Sequence, residues 1–183
     1  MSEHTADTHV GEQIYVDLTP YALDLEDEAK LVAEQDELTF TWLTKDGSPM
    51  SAIMSYVRGD DGRLWMLALS ERKRVKAILR DNRVAATISG VGTLFGWGCT
   101  VSWKGLATVH DDRETVRWLL PQMGRRIGLA EGEELDSWVR VEDSPTRVAI
   151  AMETTVRVSF DIRKRKARTN EVLDAETQAT QER

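Results

Sequence analysis

Apolar and polar positions along this chain change their spacing several times, and each change marks an element. Residues 25–35, "LEDEAKLVAEQ", set Leu25, Ala29, Leu31 and Val32 at helical spacing, with acids in the first turn where the helix dipole favours them. A short amphipathic helix is predicted there. Then come "LTFTWLT" (38–44), "PMSAIMSYV" (49–57) and "RLWMLAL" (63–69), short runs rich in aromatic and β-branched residues and separated by the Gly/Asp turns "KDGS" and "RGDDG". They predict three strands joined as an antiparallel meander. In "SERKRVKAILRDNRV" (70–84), Val75, Ile78 and Leu79 mark one side of a helix and Lys73, Lys76 and Arg80 the other, with Ser70 as N-cap.

"VAATIS" (84–89) reads as a fourth strand, "GVGTLFGWG" (90–98) as a glycine-rich connection and "CTVSWKGLATV" (99–109) as a long strand. "HDDRETVRWLLPQMGRRIG" predicts a helix with Asp111 as N-cap, Glu114 at the reciprocal capping position, Trp118 and Leu119 on the buried side and Gly128 past its end. A second helix or turn fills 131–141, and "TRVAIAM" (146–152) and "TVRVSFDI" (155–162) close the sheet. Six or seven antiparallel strands with two or three inserted helices, and no βαβ alternation, predict an α+β, mainly β architecture: a small antiparallel barrel with appended helices. The expected organisation is a mobile acidic arm over 1–20, with at most a short ordered piece at "IYVDL", one domain over 21–163, and a polar, mostly unstructured tail over 164–183.

Composition sharpens this picture. The 183 residues, 41% of them apolar, suffice for one hydrophobic core. The formal charge is −7, yet residues 1–37 alone hold eleven Asp or Glu against the single Lys30, so the remainder carries +3. A mildly basic body with an acidic arm argues against general nucleic-acid binding, which needs a broad cationic face, and suits a small anionic ligand. Cys99 is the one cysteine, so no intramolecular disulfide forms, and with His4, His9 and His110 scattered the chain lacks zinc-site spacing. A reducing cytoplasm is the expected compartment. The polar, acidic start is unlike a signal peptide, and no apolar run approaches the ~20 residues that span a bilayer, so no membrane partner is expected.

Three motifs have plain structural readings. "SGVGTLFGWG" lacks the third glycine of a dinucleotide loop, having Phe95 there, and leads into a strand rather than a helix. His110, Asp111 and Asp112 read as helix-capping groups rather than an acid/base pair, and no G-x-S-x-G occurs, so no catalytic side chain is assigned. "RKRK" (163–166) reads as a solvated end. The cationic run is different because of where it sits. A strand feeds directly into Ser70, and Arg72, Lys73 and Arg74 occupy the first turn. Backbone N–H groups, the positive end of the helix dipole and fixed cations together make a site for a phosphate of charge near −2.

The order of "KDGSP" (45–49), "DDGRLWML" (60–67), "RKRVKAILRDNRVA" (72–85), "WKGLATVHDD" (103–112) and "RVSFD" (157–161) resembles the flavin-binding split-barrel superfamily typified by pyridoxamine 5′-phosphate oxidase. The resemblance covers about residues 25–163. It implies a homodimer with a flavin in the groove between subunits, acting on a small-molecule substrate by hydride transfer. Carried onto this sequence, Lys73 and Arg74 meet the phosphate with Arg72 nearby, while Ala68, Leu69 and Ser70 offer backbone and hydroxyl groups. The ring lies along Met50, Ser51 and Ala52, and Thr100 stands where the oxidases often have a Gln. The oxidases' Arg near Ser51 and their C-terminal Trp/Arg pair are not matched, which argues against pyridoxamine phosphate oxidation itself. FMN and the deazaflavin coenzyme F-420 are the implied cofactors; similarity to haem-binding relatives implies a second reading, a non-catalytic or haem-handling protein.

Overall fold

A computed structural model describes residues 19–181. The expected segment at "IYVDL" and most of the acidic arm lie outside the described residues; Thr19–Tyr21 form a short 3-10 turn. In chain order the elements are α1 (Leu25–Glu34), β1 (Glu37–Leu43), β2 (Pro49–Ser55), β3 (Val57–Arg58), β4 (Leu64–Leu69), α2 (Lys73–Arg80), β5 (Arg83–Ser89), β6 (Cys99–His110), α3 (Arg113–Arg126), α4 (Glu133–Glu142), β7 (Arg147–Asp161) and α5 (Ile162–Gln181).

The seven strands form one antiparallel sheet in the order β2-β1-β5-β6-β7-β4-β3. Its two edge strands, β2 and β3, are consecutive in the chain and separated only by Tyr56, so the sheet curls back toward itself as a split barrel. Tyr56 is fully buried, its hydroxyl donates to the Val32 carbonyl at 2.7 Å, and burial pushes its phenol up to about 12. The join is thereby tied to the end of α1.

β1 and β2 make the expected hairpin, with Phe40 opposite Ala52, around a turn in which Gly47 takes a φ of 84°. The three-strand meander forms only in part: across the second turn just Val57 and Arg58, as β3, pair with Trp65 and Leu64 of β4. The long partner of β4 is β7, Met66 opposite Ile150, and the reason lies in its composition. "LWMLAL" is apolar on both faces: Leu64, Met66 and Ala68 join the barrel interior, while Trp65 and Leu67 pack on the other side with Val116, Leu119 and Leu120 of α3 and Trp138 of α4. Only a place beside β7, whose Val148, Ile150 and Met152 face inward and whose Ala149 and Ala151 face the helices, covers both faces. By contrast β1 and β5 alternate, with Leu38, Phe40, Val84, Ala86 and Ile88 inward and Thr39, Thr41 and Thr87 outward.

α1 and α2 plug the barrel with Leu31, Val32, Val75, Ala77 and Ile78. Among the described residues no helix covers the outer face of β1, β5, β6 and the second half of β7, where Leu106, Val156 and Val158 are exposed among Thr and Ser.

Several local expectations shift. Ser70 is not the cap of α2: its N–H is spent on the Thr146 carbonyl, and Arg72 occupies the cap position without a side-chain bond. Leu79 points outward, 71% exposed, because the barrel end is filled by Val75 and Ile78. The cap of α3 is Asp112, one residue beyond Asp111, and its carboxylate accepts from the Thr115 N–H at 2.8 Å. Trp118 is half exposed, stacked edge-on against Trp65 at 5.0 Å. The two closing strands are one, β7, bent by a bulge opposite Lys104 and Gly105; a Cβ at Gly105 would lie 2.1 Å from the Glu153 carbonyl oxygen, so the strands approach only because that side chain is absent.

The tail is helical. α5 is mostly polar, with Ile162 against the core and Val172 and Leu173 exposed, so it carries no continuous apolar stripe, and tertiary contacts hold its start. Arg163 pairs with Asp161 and Asp27, Lys164 donates to the Ala22 carbonyl and to Asp24, and Lys166 lies over Trp97 at 5.1 Å. The first two of the "RKRK" cations are thus structural ties rather than a solvated end.

Candidate phosphate site at the start of helix α2

β4 ends at Leu69, opposite Arg147 of β7, and the Ser70 and Arg72 N–H groups, on the Thr146 and Leu69 carbonyls, fix the turn into α2. The first turn of α2 contains no acid, and no side chain caps it. Its N–H groups and dipole end therefore lack an anion of their own; Glu71, in the turn before, is exposed. Arg72 and Lys73 are exposed and Arg74 is half-buried.

Arg74 lines a cleft of about 270 Å³ between β2, β4 and the α3–α4 pair. Ile53, Leu67, Met123, Ile127 and Trp138 make its apolar walls; Arg147 and Glu142 are its other charged residues. The Nε of Arg74 is buried without a hydrogen-bond partner, and burial, then the Arg72 charge, lowers its affinity for the proton. Arg147 shows the same two causes in the same order. Two guanidinium groups, Arg74 and Arg147, therefore share the cleft, and the exposed Arg72 charge acts on both. Glu142, the one acid in its lining, is already paired with Arg147.

The structure brings some of the expected site residues together and separates others. Leu69, Ser70, Arg72, Lys73 and Arg74 surround one turn. Ala68 is buried with its side chain in the core, so only its backbone is available. On β2 it is Ile53, Met54 and Ser55 that line the cleft; Met50, Ser51 and Ala52 lie further along, Met50 exposed, Ser51 bonded to Thr41 across the uncovered face at 2.8 Å, and Ala52 against the core. Thr100 sits on β6, opposite Ser89 and Phe160, three strands from β2, or about 14 Å across the ladder. Within one chain Thr100 does not reach the cleft. Arg147, Glu142 and Trp138 went unnoticed in the sequence because nothing local marks them; their meeting with α2 depends on the α3–α4 excursion.

Other features have structural roles. A larger cleft, about 700 Å³, lies between α1, β3 and α3, and two of the three arginines that line it, Arg125 and Arg126, are committed. Arg126 pairs with Asp36 and donates to the Val32 and Ala33 carbonyls at the end of α1, and Arg125 pairs with Glu131. His110 lies 3.9 Å from Asp112 and packs on Trp65, and the glycine-rich loop leads into β6 as a hairpin connection. Among the described residues no group of three or more His, Cys, Asp or Glu could hold a metal, and no helix is long and apolar enough to cross a membrane.

Comparison with known proteins agrees with this fold. A conserved hypothetical protein of Mycobacterium tuberculosis is similar in structure at 20% identity and a TM-score of 0.71, over 80% of this chain and 89% of that one. An F420 reductase matches at 16% identity and 0.53, over 70% and 94%, and the haem storage protein HutZ of Vibrio cholerae at 17% and 0.57, over 75% and 96%. No curated protein matches the sequence. The family described as pyridoxamine 5′-phosphate oxidase matches residues 25–157, and with the curled antiparallel sheet in place this chain belongs to that family.

Proposed function

We propose that this chain binds a phosphate-bearing flavin or deazaflavin at the start of α2 and, as a homodimer, uses it to transfer hydride to or from a small organic molecule. The observation that carries the reading is Arg74: a half-buried cation with an unpartnered Nε, in a cleft whose single acid is already engaged. A phosphate complements that cation in charge and offers its N–H donors the acceptors they need. Lys73, Arg74 and the uncapped N–H groups of α2 would hold it. Ile53, Leu67 and Trp138 would shield a planar ring from water. When bound, the cofactor supplies the hydride chemistry, and this chain supplies position and electrostatics.

Two observations refine the proposal. The cations that could receive the acidic tail of F-420 are partly spoken for: Arg80 donates to the Leu43 carbonyl, and Arg163 and Lys164 hold acids and a carbonyl near α1. FMN, which ends at one phosphate, is the better match. Among the described residues no histidine lines the cleft, which disfavours the haem-handling reading. Thr100 belongs to the uncovered sheet face, so it could meet a cofactor only if a second copy laid that face against the first. The test is the visible spectrum of the purified protein, followed by titration with FMN, F-420 and haem. Saturable FMN binding with a flavin spectrum is expected, and exclusive haem binding would overturn the reading.

A further inference from the structure

We propose that Arg147 is a third anion-binding side chain of the α2 cleft, held ready by Glu142, and that this pair sets how strongly the site prefers a doubly charged phosphate group. The inference rests on the reading above and adds residues from a distant part of the chain. Arg147 opens β7 directly opposite Leu69 in the ladder, and the neighbouring Thr146 carbonyl accepts from the Ser70 N–H at 2.8 Å. The start of β7 is thus locked to the turn that presents Lys73 and Arg74. Its own backbone is fixed as well: the Arg147 N–H donates to the Ser144 carbonyl, and its carbonyl accepts from Arg113 Nη1.

The side chain is mostly buried, with 16% exposure, and is oriented from one side only. Its Nε donates to the Glu142 carbonyl and its Nη2 to the Glu142 carboxylate. A guanidinium has five N–H donors in a rigid fork, so Nη1 is left to a ligand. The Arg72 charge acts on Arg74 and Arg147 alike, which places both in its field and agrees with their sharing one cleft. Glu142 offsets one of these charges. The remaining excess is what a dianion neutralises and a monoanion leaves unmet. Glu142 therefore has two opposed effects: it orients Arg147, and its charge repels the incoming phosphate.

FMN and riboflavin differ only in the phosphate, so their affinity ratio isolates this end of the site. Arg147→Gln should weaken FMN about tenfold and leave riboflavin unchanged, whereas Arg147→Lys should retain most of the preference. In the Arg147→Gln background, where only its repulsion of the phosphate remains, Glu142→Gln should tighten FMN a few-fold. Equal losses for both flavins in Arg147→Gln would make Arg147 a wall of the cleft and overturn the proposal. So would unchanged FMN binding in Arg147→Gln, or no gain in FMN affinity from Glu142→Gln in the Arg147→Gln background. The variant with both Lys73→Ala and Arg74→Ala separates the two levels. If it erases the FMN preference while Arg147→Gln keeps it, the cleft stands and the role of Arg147 falls; if the wild type shows no preference, both readings fall.

Discussion

Arg74 is a half-buried guanidinium whose Nε meets no acceptor, and such a group is costly unless an anion completes it. Asp161 shows the opposite arrangement. It is 1% exposed and accepts from the Arg163 side chain and N–H and from the Cys99 thiol, and the Arg163 bonds hold its carboxyl down at about 2. A carboxylate depressed in the fold adds stability above its ordinary value near 4, and that stability is lost as pH falls toward 2. The gain is of order 2 kcal/mol. Urea unfolding at pH 7, 4 and 2.5 should therefore show a steep acid loss in the wild type and a flatter one in Asp161→Asn, which starts less stable; parallel curves would remove Asp161 from the acid response. At this scale the sequence was legible where chemistry is local. Lys73 and Arg74 stand out as a cluster after a strand, whereas Arg147 and Glu142 gain meaning only from what folds beside them.

Elements were legible where pattern and turn residues agree. The alternation of "LTFTWL" and "VAATIS" and the Gly/Asp turns mark β1, β5 and the β1–β2 hairpin, because one face of each strand is wet. The pairing of β4 was not, since a strand buried on both faces shows no alternation and its partner comes from the far end of the chain. α5 escaped detection for the converse reason: it buries no apolar stripe, and Arg163 and Lys164 anchor its start. The β2 residues beside Arg74 are Ile53 to Ser55 rather than Met50 to Ala52, an offset set by the β1–β2 register and by the curl at Tyr56. The tightest inter-strand approach is at Gly105. Gly105→Ala should cost about 1–3 kcal/mol, since the obstacle is the Glu153 backbone and not a movable side chain. Gly124→Ala should cost less, because the atom nearest its added Cβ is the tip of Leu135, which can shift. Thermal melting of both variants checks the ranking; equal losses would contradict it.

For the whole molecule, the homodimer proposed above would use the outer sheet face on which Thr100 lies. Sedimentation at micromolar concentration should give about twice the chain mass of 20.7 kDa. Val158→Glu, which puts a charge on that face, should shift the protein toward monomer and weaken flavin binding with it; a monomer that binds flavin unimpaired would leave Thr100 without a role. The central claim is that the start of α2 is a phosphate site, and calorimetric titration of FMN into the wild type and into the protein carrying both Lys73→Ala and Arg74→Ala tests it most directly. The two lost contacts, each charge-assisted and worth roughly 1.5–3 kcal/mol, should reduce affinity at least tenfold and up to a hundredfold or more, with the fold intact because Val75 and Ile78 are untouched. Arg80→Ala, whose guanidinium is occupied with Leu43, should bind FMN as the wild type does. Equal FMN affinity in the wild type and the double variant would contradict the account.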